Sequence, residues 1–234
     1  MAARTTKPKL DDLLNGKPPP LETGDRLSRE EFERRYDAMP NLKKAELIEG
    51  VVYVASPVRH RHHGRPHLQL TGWLAAYEAA TPGVEGADNT TARLDLENEP
   101  QPDLLLLIDP ARGGQAIVTE EDYIEGAPEW IAEISASRVS IDLHAKFEVY
   151  RRTGVREYLV WRVQDREIDW FLLRGRRYRA QKPDARGILR SKVFPGLWLD
   201  PAALVRGDLA RVLAVLQEGV RSPEHAAFVA KLNP

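Results

Sequence analysis

Three charged side chains stand where charge is expensive. Asp103 heads the apolar run Asp103-Leu-Leu-Leu-Leu-Ile108, Glu133 lies inside Glu129-Trp-Ile-Ala-Glu-Ile-Ser135, and Lys146 follows on the next segment. A carboxylate among Trp130, Ile131 and Ile134 would be desolvated at a cost unless a partner, a metal or a reaction uses it. Two carboxylates on adjacent strands offer the hard oxygen donors that Mg²⁺ takes, and that ion usually retains waters for chemistry. A lysine aimed at the same place would offset negative charge developing on an attacking hydroxide or a pentavalent phosphate. The chemistry suggested is phosphodiester hydrolysis assisted by Mg²⁺ or Mn²⁺. The bland alternative is a strand-start aspartate, an edge glutamate facing solvent, and a surface pair of Asp142 with Lys146 at i,i+4.

These side chains need strands and a helix to hold them. Asp103-Leu-Leu-Leu-Leu-Ile108 is continuous enough for a central strand, and Pro102 fixes its entry. The segment 129–135 predicts a second strand, and Asp142 to Arg152, with Leu143, Phe147 and Tyr150 on one face and Gly154 beyond, predicts an amphipathic helix. With Glu157-Tyr-Leu-Val-Trp161, this makes a strand-helix-strand crossover. Upstream, Ser28-Arg-Glu-Glu31 forms a capping box for a helix to about Tyr36, and residues 46–54 read as a hairpin turning at Glu49-Gly50. A helix carrying Leu70, Trp73, Leu74 and Tyr77 runs to about Ala80, and Pro66 is tolerable only near its first turn or at a kink. Thr91 to Glu97 alternates as a half-buried strand, and further strands are expected near Ile168–Leu173 and Tyr178. The expected fold is α/β, a mixed central sheet flanked by helices. Residues 1–26 read as a flexible tail, 27–204 as the main domain, and 205–234 as a C-terminal helical appendage.

Composition bounds the class. The chain has 234 residues, 42% hydrophobic and 29% charged, enough to bury a core of one or two ordinary domains. Zero cysteines exclude disulfides, thiol catalysis and thiolate zinc sites. No apolar run reaches the roughly 20 residues of a membrane helix, and the opening MAARTTKPKL lacks a signal-peptide core. A soluble, cytoplasmic protein is expected. A net charge of -1 gives no overall attraction to nucleic acid, so phosphate contacts must come from local clusters.

At this point the residues resemble a known family, the Uma2 restriction endonucleases of the PD-(D/E)-x-K nuclease superfamily. The resemblance runs from about Leu27 to Leu204. Its pieces are Glu46-Leu-Ile-Glu49-Gly50, Ser56-Pro57 with His63-Gly64, Gln101-Pro102-Asp103, Gly126-Ala-Pro-Glu-Trp-Ile-Ala-Glu133-Ile-Ser135, Asp142 to Lys146 with Tyr150, Gly154-Val155, Glu157-Tyr158, and Phe194-Pro-Gly-Leu197. It implies a restriction-endonuclease-like sheet, a divalent metal on Asp103 and Glu133, and Lys146 as the catalytic lysine. The superfamily pattern sets that lysine two residues after Glu133, where this chain has Ser135, so the role is carried by the following helix. Ala136 stands where relatives often have proline. Glu49 resembles the extra acidic residue of such sites, although it is equally the polar residue before a hairpin glycine; Glu46 is its substitute.

Two basic stretches remain. Residues 59–67, Arg-His-Arg-His-His-Gly-Arg-Pro-His, hold four of the six histidines. Helical spacing of His60, His63 and His67 could bind zinc, but Pro66 argues against a continuous helix and no HExxH spacing is present. His63, at the rim of the site, and Arg65 are better read as phosphate-facing. Arg176, Arg177 and Arg179, interleaved with Tyr178, could likewise contact a phosphate backbone, or simply blunt a sheet edge. The expectation is an endonuclease acting on nucleic acid, with double-stranded DNA as substrate and a homodimer as assembly. The alternative is an inactive nuclease fold kept as a nucleic-acid or protein binding module.

Overall fold

A computed structural model describes residues 18–55, 59–135 and 141–233. Its first helix, α1 (Arg29–Asp37), is capped by Ser28, whose hydroxyl accepts from the Glu31 amide. The hairpin β1 (Ala45–Ile48) and β2 (Val51–Val54) turns at Glu49 and Gly50, with φ of 52° and 70°. Two positive φ values make a tight primed turn whose twist suits the strands it joins. Residues 18–26 correct the expected tail: Leu21 is buried with Phe32, Leu47 and Val52, and the Gly24 amide donates to Val52 O at 2.9 Å. Residues 1–17 of that tail lie outside the described residues.

The main sheet has six strands in the order β11-β10-β9-β8-β5-β3. These are β3 (Val84–Asp88), β5 (Leu104–Ile108), β8 (Trp130–Ser135), β9 (Glu157–Arg162), β10 (Glu167–Arg174) and β11 (Arg177–Ala180). β8 and β9 pair in parallel across helix α3 (Lys146–Thr153), and the other neighbours are antiparallel. The expected crossover is therefore present. Short strands β4 (Ala92–Arg93), β6 (Ile117–Val118) and β7 (Ile124–Glu125) form a side sheet, and β12 (Leu189–Arg190) pairs with β13 (Trp198–Leu199). The half-buried strand expected over 91–97 is reduced to the two residues of β4, because Asp95 to Asn98 turn instead, closed by Asp95 accepting from Asn98 Nδ2.

Both faces of the sheet are covered, which explains why β5 and β8 are hydrophobic without alternation. Leu104, Leu106, Ile108, Trp130, Ala132 and Ile134 pack on one side with α2 (Arg65–Glu78), through Leu70, Trp73, Leu74 and Tyr77. Leu105, Leu107 and Ile131 pack on the other with Val149 and Tyr150 of α3. Pro66 is the second residue of α2, but the chain is already helical before it. A π-helical turn over His60–Gly64 runs straight into α2, the Arg65 amide donating to His60 O, so the break expected at the proline does not occur. α4 (Pro201–Arg206), α5 (Leu209–Val220) and α6 (Pro223–Leu232) follow, and Leu204, Val212, Leu216 and Leu232 enter the first core cluster. The C-terminal helices thus complete the core of the sheet.

Candidate active site

Strand parity places the two carboxylates. Side chains alternate along a strand, so Asp103 shares the face of Leu105 and Leu107, and Glu133 that of Ile131: the α3 side. β5 and β8 pair with Leu104 opposite Ala132, and this register carried one residue further sets Asp103 across from Glu133. The Ile134 amide donates to Asp103 Oδ2 at 2.8 Å, closing the end of the ladder with a side chain.

Lys146, first residue of α3, points into this face and is 3% exposed. Its Nζ lies 2.8 Å from Glu133 Oε1 and 2.7 Å from Glu46 Oε1. Tyr150, one turn further along, donates to the same Glu133 oxygen at 2.8 Å. Glu46 also accepts from the Gln101 amide at 2.9 Å. The i,i+4 spacing of Lys146 and Tyr150 therefore aims two donors at one carboxylate. The surface pair of Lys146 with Asp142 is not what forms, since both residues are buried and Lys146 bridges two glutamates.

The charge balance follows from burial. Burial, reinforced by Asp103, Asp142 and Glu46 and only partly opposed by Lys146, pushes the Glu133 carboxyl up to about 8. Burial likewise raises Asp142, against the pull of Lys146. For Lys146 burial disfavours the charge, but Glu133, Glu46 and Asp142 outweigh it and hold the amine well above its ordinary range. Glu46 is also opposed by burial, yet Lys146, Lys44 and the Gln101 amide bring it below the usual carboxylate value. Asp103 is also lowered: its hydrogen bond to His63, the Lys44 charge and the Ile134 amide overcome desolvation.

The rim of the site is polar. His63 Nε2 lies 3.1 Å from Asp103 Oδ1, and Lys44 Nζ lies 3.5 Å from the same oxygen. His67 Nε2 is 3.2 Å from the Asp103 carbonyl, and its ring stacks on His63 at a centroid distance of 5.7 Å. Asn89, at φ 48°, joins Lys44 Nζ at 3.1 Å. The left-handed backbone there is one that asparagine tolerates better than most residues.

Several expected residues are elsewhere. Glu49 is exposed on the hairpin turn and pairs with Arg152 at 3.0 Å, so Glu46, two strand positions from Ile48, joins Lys146 in its place. The reason is local: a φ of 52° at Glu49 commits that residue to the turn. Arg65 is exposed at the start of α2. Arg176, Arg177 and Arg179 lie at the hairpin into β11, separated from β8 by β9 and β10. Arg176 and Arg177, with Arg151, Arg152 and Phe147 of α3, line a groove of their own. Glu129, in the same motif as Glu133, is structural: its two oxygens accept from the Ile108 and Gln115 amides at 3.0 and 2.8 Å. Lys44 and Asn89 enter the site unexpected, and Asp142 and Tyr150, expected only as positions on the helix, enter it as well. Alternation could have found Lys44, two positions before Glu46; nothing local marks Asn89.

Four buried carboxylates, Glu46, Asp103, Glu133 and Asp142, meet Lys146 and the partly exposed Lys44. That excess of hard oxygen donors suits a divalent cation, whose charge would favour the ionised form of the raised Glu133 and Asp142 carboxyls. Among the described residues no group of three or more acidic or histidine side chains forms a ready metal cage. Mg²⁺ does not require one, since it commonly takes one or two carboxylates and completes its shell with water and substrate oxygens.

Comparison with known proteins bears on this arrangement. Residues 29–202 match the model of the family Uma2, described as "Putative restriction endonuclease". No curated protein matches the chain. Among solved structures, the fold is similar to one titled as a putative nuclease belonging to DUF820 from Anabaena variabilis. The TM-score is 0.52 at 11% identity, covering 77% of this chain and 97% of that one. The match ends before α5 and α6, so those helices lie beyond the family's model.

Proposed function

This chain belongs to the Uma2 restriction endonuclease family, and from that premise we propose that it is a divalent-metal-dependent endonuclease cutting phosphodiester bonds in double-stranded DNA. The observation that carries the reading is the buried set at the end of β5 and β8: Asp103 on its amide and histidine, and Glu133 held by Lys146 and Tyr150. A carboxylate this desolvated is retained in a core at a cost, and a metal site gives it a use.

Asp103 and Glu133 would hold Mg²⁺ or Mn²⁺, which supplies Lewis-acid stabilisation of charge on the phosphate. Lys146 and Tyr150 fix one oxygen of Glu133 and so orient the carboxylate before the ion arrives. Glu46 takes the other contact of the Lys146 ammonium and keeps it from swinging away. Glu49, tied to Arg152 on an exposed turn, has no part in this reading. His63 belongs to the DNA-facing rim, and Arg65, exposed at the start of α2, joins Arg176, Arg177 and Arg179 as outlying cations that meet backbone phosphate further along the duplex. Contacts of that kind make affinity fall as salt rises.

Calorimetric titration with Mn²⁺ tests the site directly. Binding is expected for the wild type, lost in Glu133→Ala, and retained in Lys146→Gln, where Glu46 and Glu133 keep a neutral donor between them. Equal Mn²⁺ binding by Glu133→Ala and the wild type would remove the carboxylate site from the proposal.

A further inference from the structure

Lys146 is fully engaged: its ammonium sits between two carboxylates, and its side chain is 4% exposed. A cation so enclosed is poorly placed to meet a substrate arriving from solvent. Lys44 differs in both respects. Its side chain is 23% exposed, and its Nζ stands 3.5 Å from Asp103 Oδ1 and 3.1 Å from Asn89 Oδ1. Lys44 and Glu46 are two apart in an extended segment, so the chain turns both toward the site, Glu46 inward and Lys44 at its edge. Around Lys44 stand His63, at 3.1 Å from Asp103 Oδ1, and His67, at 3.2 Å from the Asp103 carbonyl, both partly exposed. Asn89 connects the two halves, its Oδ1 to Lys44 and its Nδ2 at 3.4 Å from His67 Nε2.

We infer that the two lysines divide the work: Lys44 is the cation that contacts the phosphate being cut, in a polar mouth completed by His63, His67 and Asn89, and Lys146 is a positioning residue for Glu133 and Glu46. This deepens the nuclease reading and rests on it. The geometry explains why Lys44 needs no dedicated carboxylate: Asp103 is already shared with His63 and the Ile134 amide, which leaves the lysine an acceptor it can exchange for a phosphate oxygen. Lys43, next in the chain and exposed, removes the same formal charge when substituted and contacts nothing in the site.

The test compares wild type, Lys44→Ala, Lys44→Arg and Lys43→Ala on a labelled DNA duplex. Affinity is followed against salt with Ca²⁺ as the metal, and steady-state cleavage with Mg²⁺. Loss of one phosphate contact should lower the slope of log affinity against log salt by about 1. Turnover of Lys44→Ala should fall roughly 10²-fold, the scale of one lost transition-state donor. Lys44→Arg should recover the salt slope, and Lys43→Ala should follow the wild type in both. A Lys44→Ala protein that keeps the wild-type slope and turnover while the wild type cleaves would overturn the assignment and leave the nuclease reading standing. A folded wild type that binds and cuts no duplex would overturn both.

Discussion

At the level of single residues, the informative feature is that a buried lysine and a buried tyrosine share one carboxylate oxygen. Breaking a buried ion pair leaves an uncompensated charge, so Lys146→Met should cost roughly 3–5 kcal/mol of folding stability. Its turnover should fall roughly 10- to 100-fold, the scale of losing a group that orients a metal-binding carboxylate. Tyr150→Phe removes only a hydrogen bond to that carboxyl, worth about 1–3 kcal/mol, with a smaller loss of rate. Urea unfolding and duplex cleavage on both variants check the order. Asp103, Glu133 and Lys146 were legible in the sequence because each broke an apolar pattern. Glu46 and Glu49 could not be separated there, since both stand in one short acidic hairpin. Only the turn geometry distinguishes them, sending Glu49 outward to Arg152 and leaving Glu46 on the strand. Lys44 could be reached only through its alternation with Glu46, and Asn89 meets it from 45 residues away in sequence, a contact that no local pattern encodes.

Among the elements, β5, β8 and α3 were readable because two apolar runs and one amphipathic stretch follow each other with turn residues between. The short strands were not: two-residue pairings such as β12 with β13 carry no periodicity. The hairpin β1–β2 depends on Glu99, whose backbone exchanges both hydrogen bonds with Leu47. Its buried Oε2 meets no donor, and burial, with Glu33 beside it, pushes this carboxyl up to about 8. A raised folded-state value means that stability is fully present below the unfolded carboxyl range and is lost as pH rises through about 8. The urea midpoint should therefore drop between pH 5 and 8.5. Glu99→Gln, which cannot ionise, should flatten that drop by an amount on the order of 1–2 kcal/mol. Glu133 and Glu157, raised by burial to about 8 and about 7, act in the same direction and keep some slope in the variant. An unchanged slope would show that Glu99 does not titrate in this way. Helix α5 offers a separate check. A Cβ at Gly219 would lie 2.2 Å from the Gly196 carbonyl oxygen, so Gly219→Ala should lose about 1–3 kcal/mol by overpacking, measured by the same unfolding curve.

For the whole molecule, two packed faces explain why one sheet can hold both a large apolar core and a charged pocket: the α2 side is continuous with α5 and α6, and the α3 side carries the carboxylates. Among the described residues no helix is long and apolar enough to cross a membrane. A duplex has two strands to cut and this chain carries one candidate site, so we expect a two-fold dimer; sedimentation giving only monomer at micromolar concentration would count against it. Nicking of supercoiled plasmid DNA tests the central claim most directly, run with Mg²⁺, Mn²⁺ or EDTA on wild type and Glu133→Gln. The expected result is nicking with either metal, none in EDTA, and a loss of roughly 10² or more in the variant; nicking that persists in EDTA, or at the wild-type rate in Glu133→Gln, would contradict it.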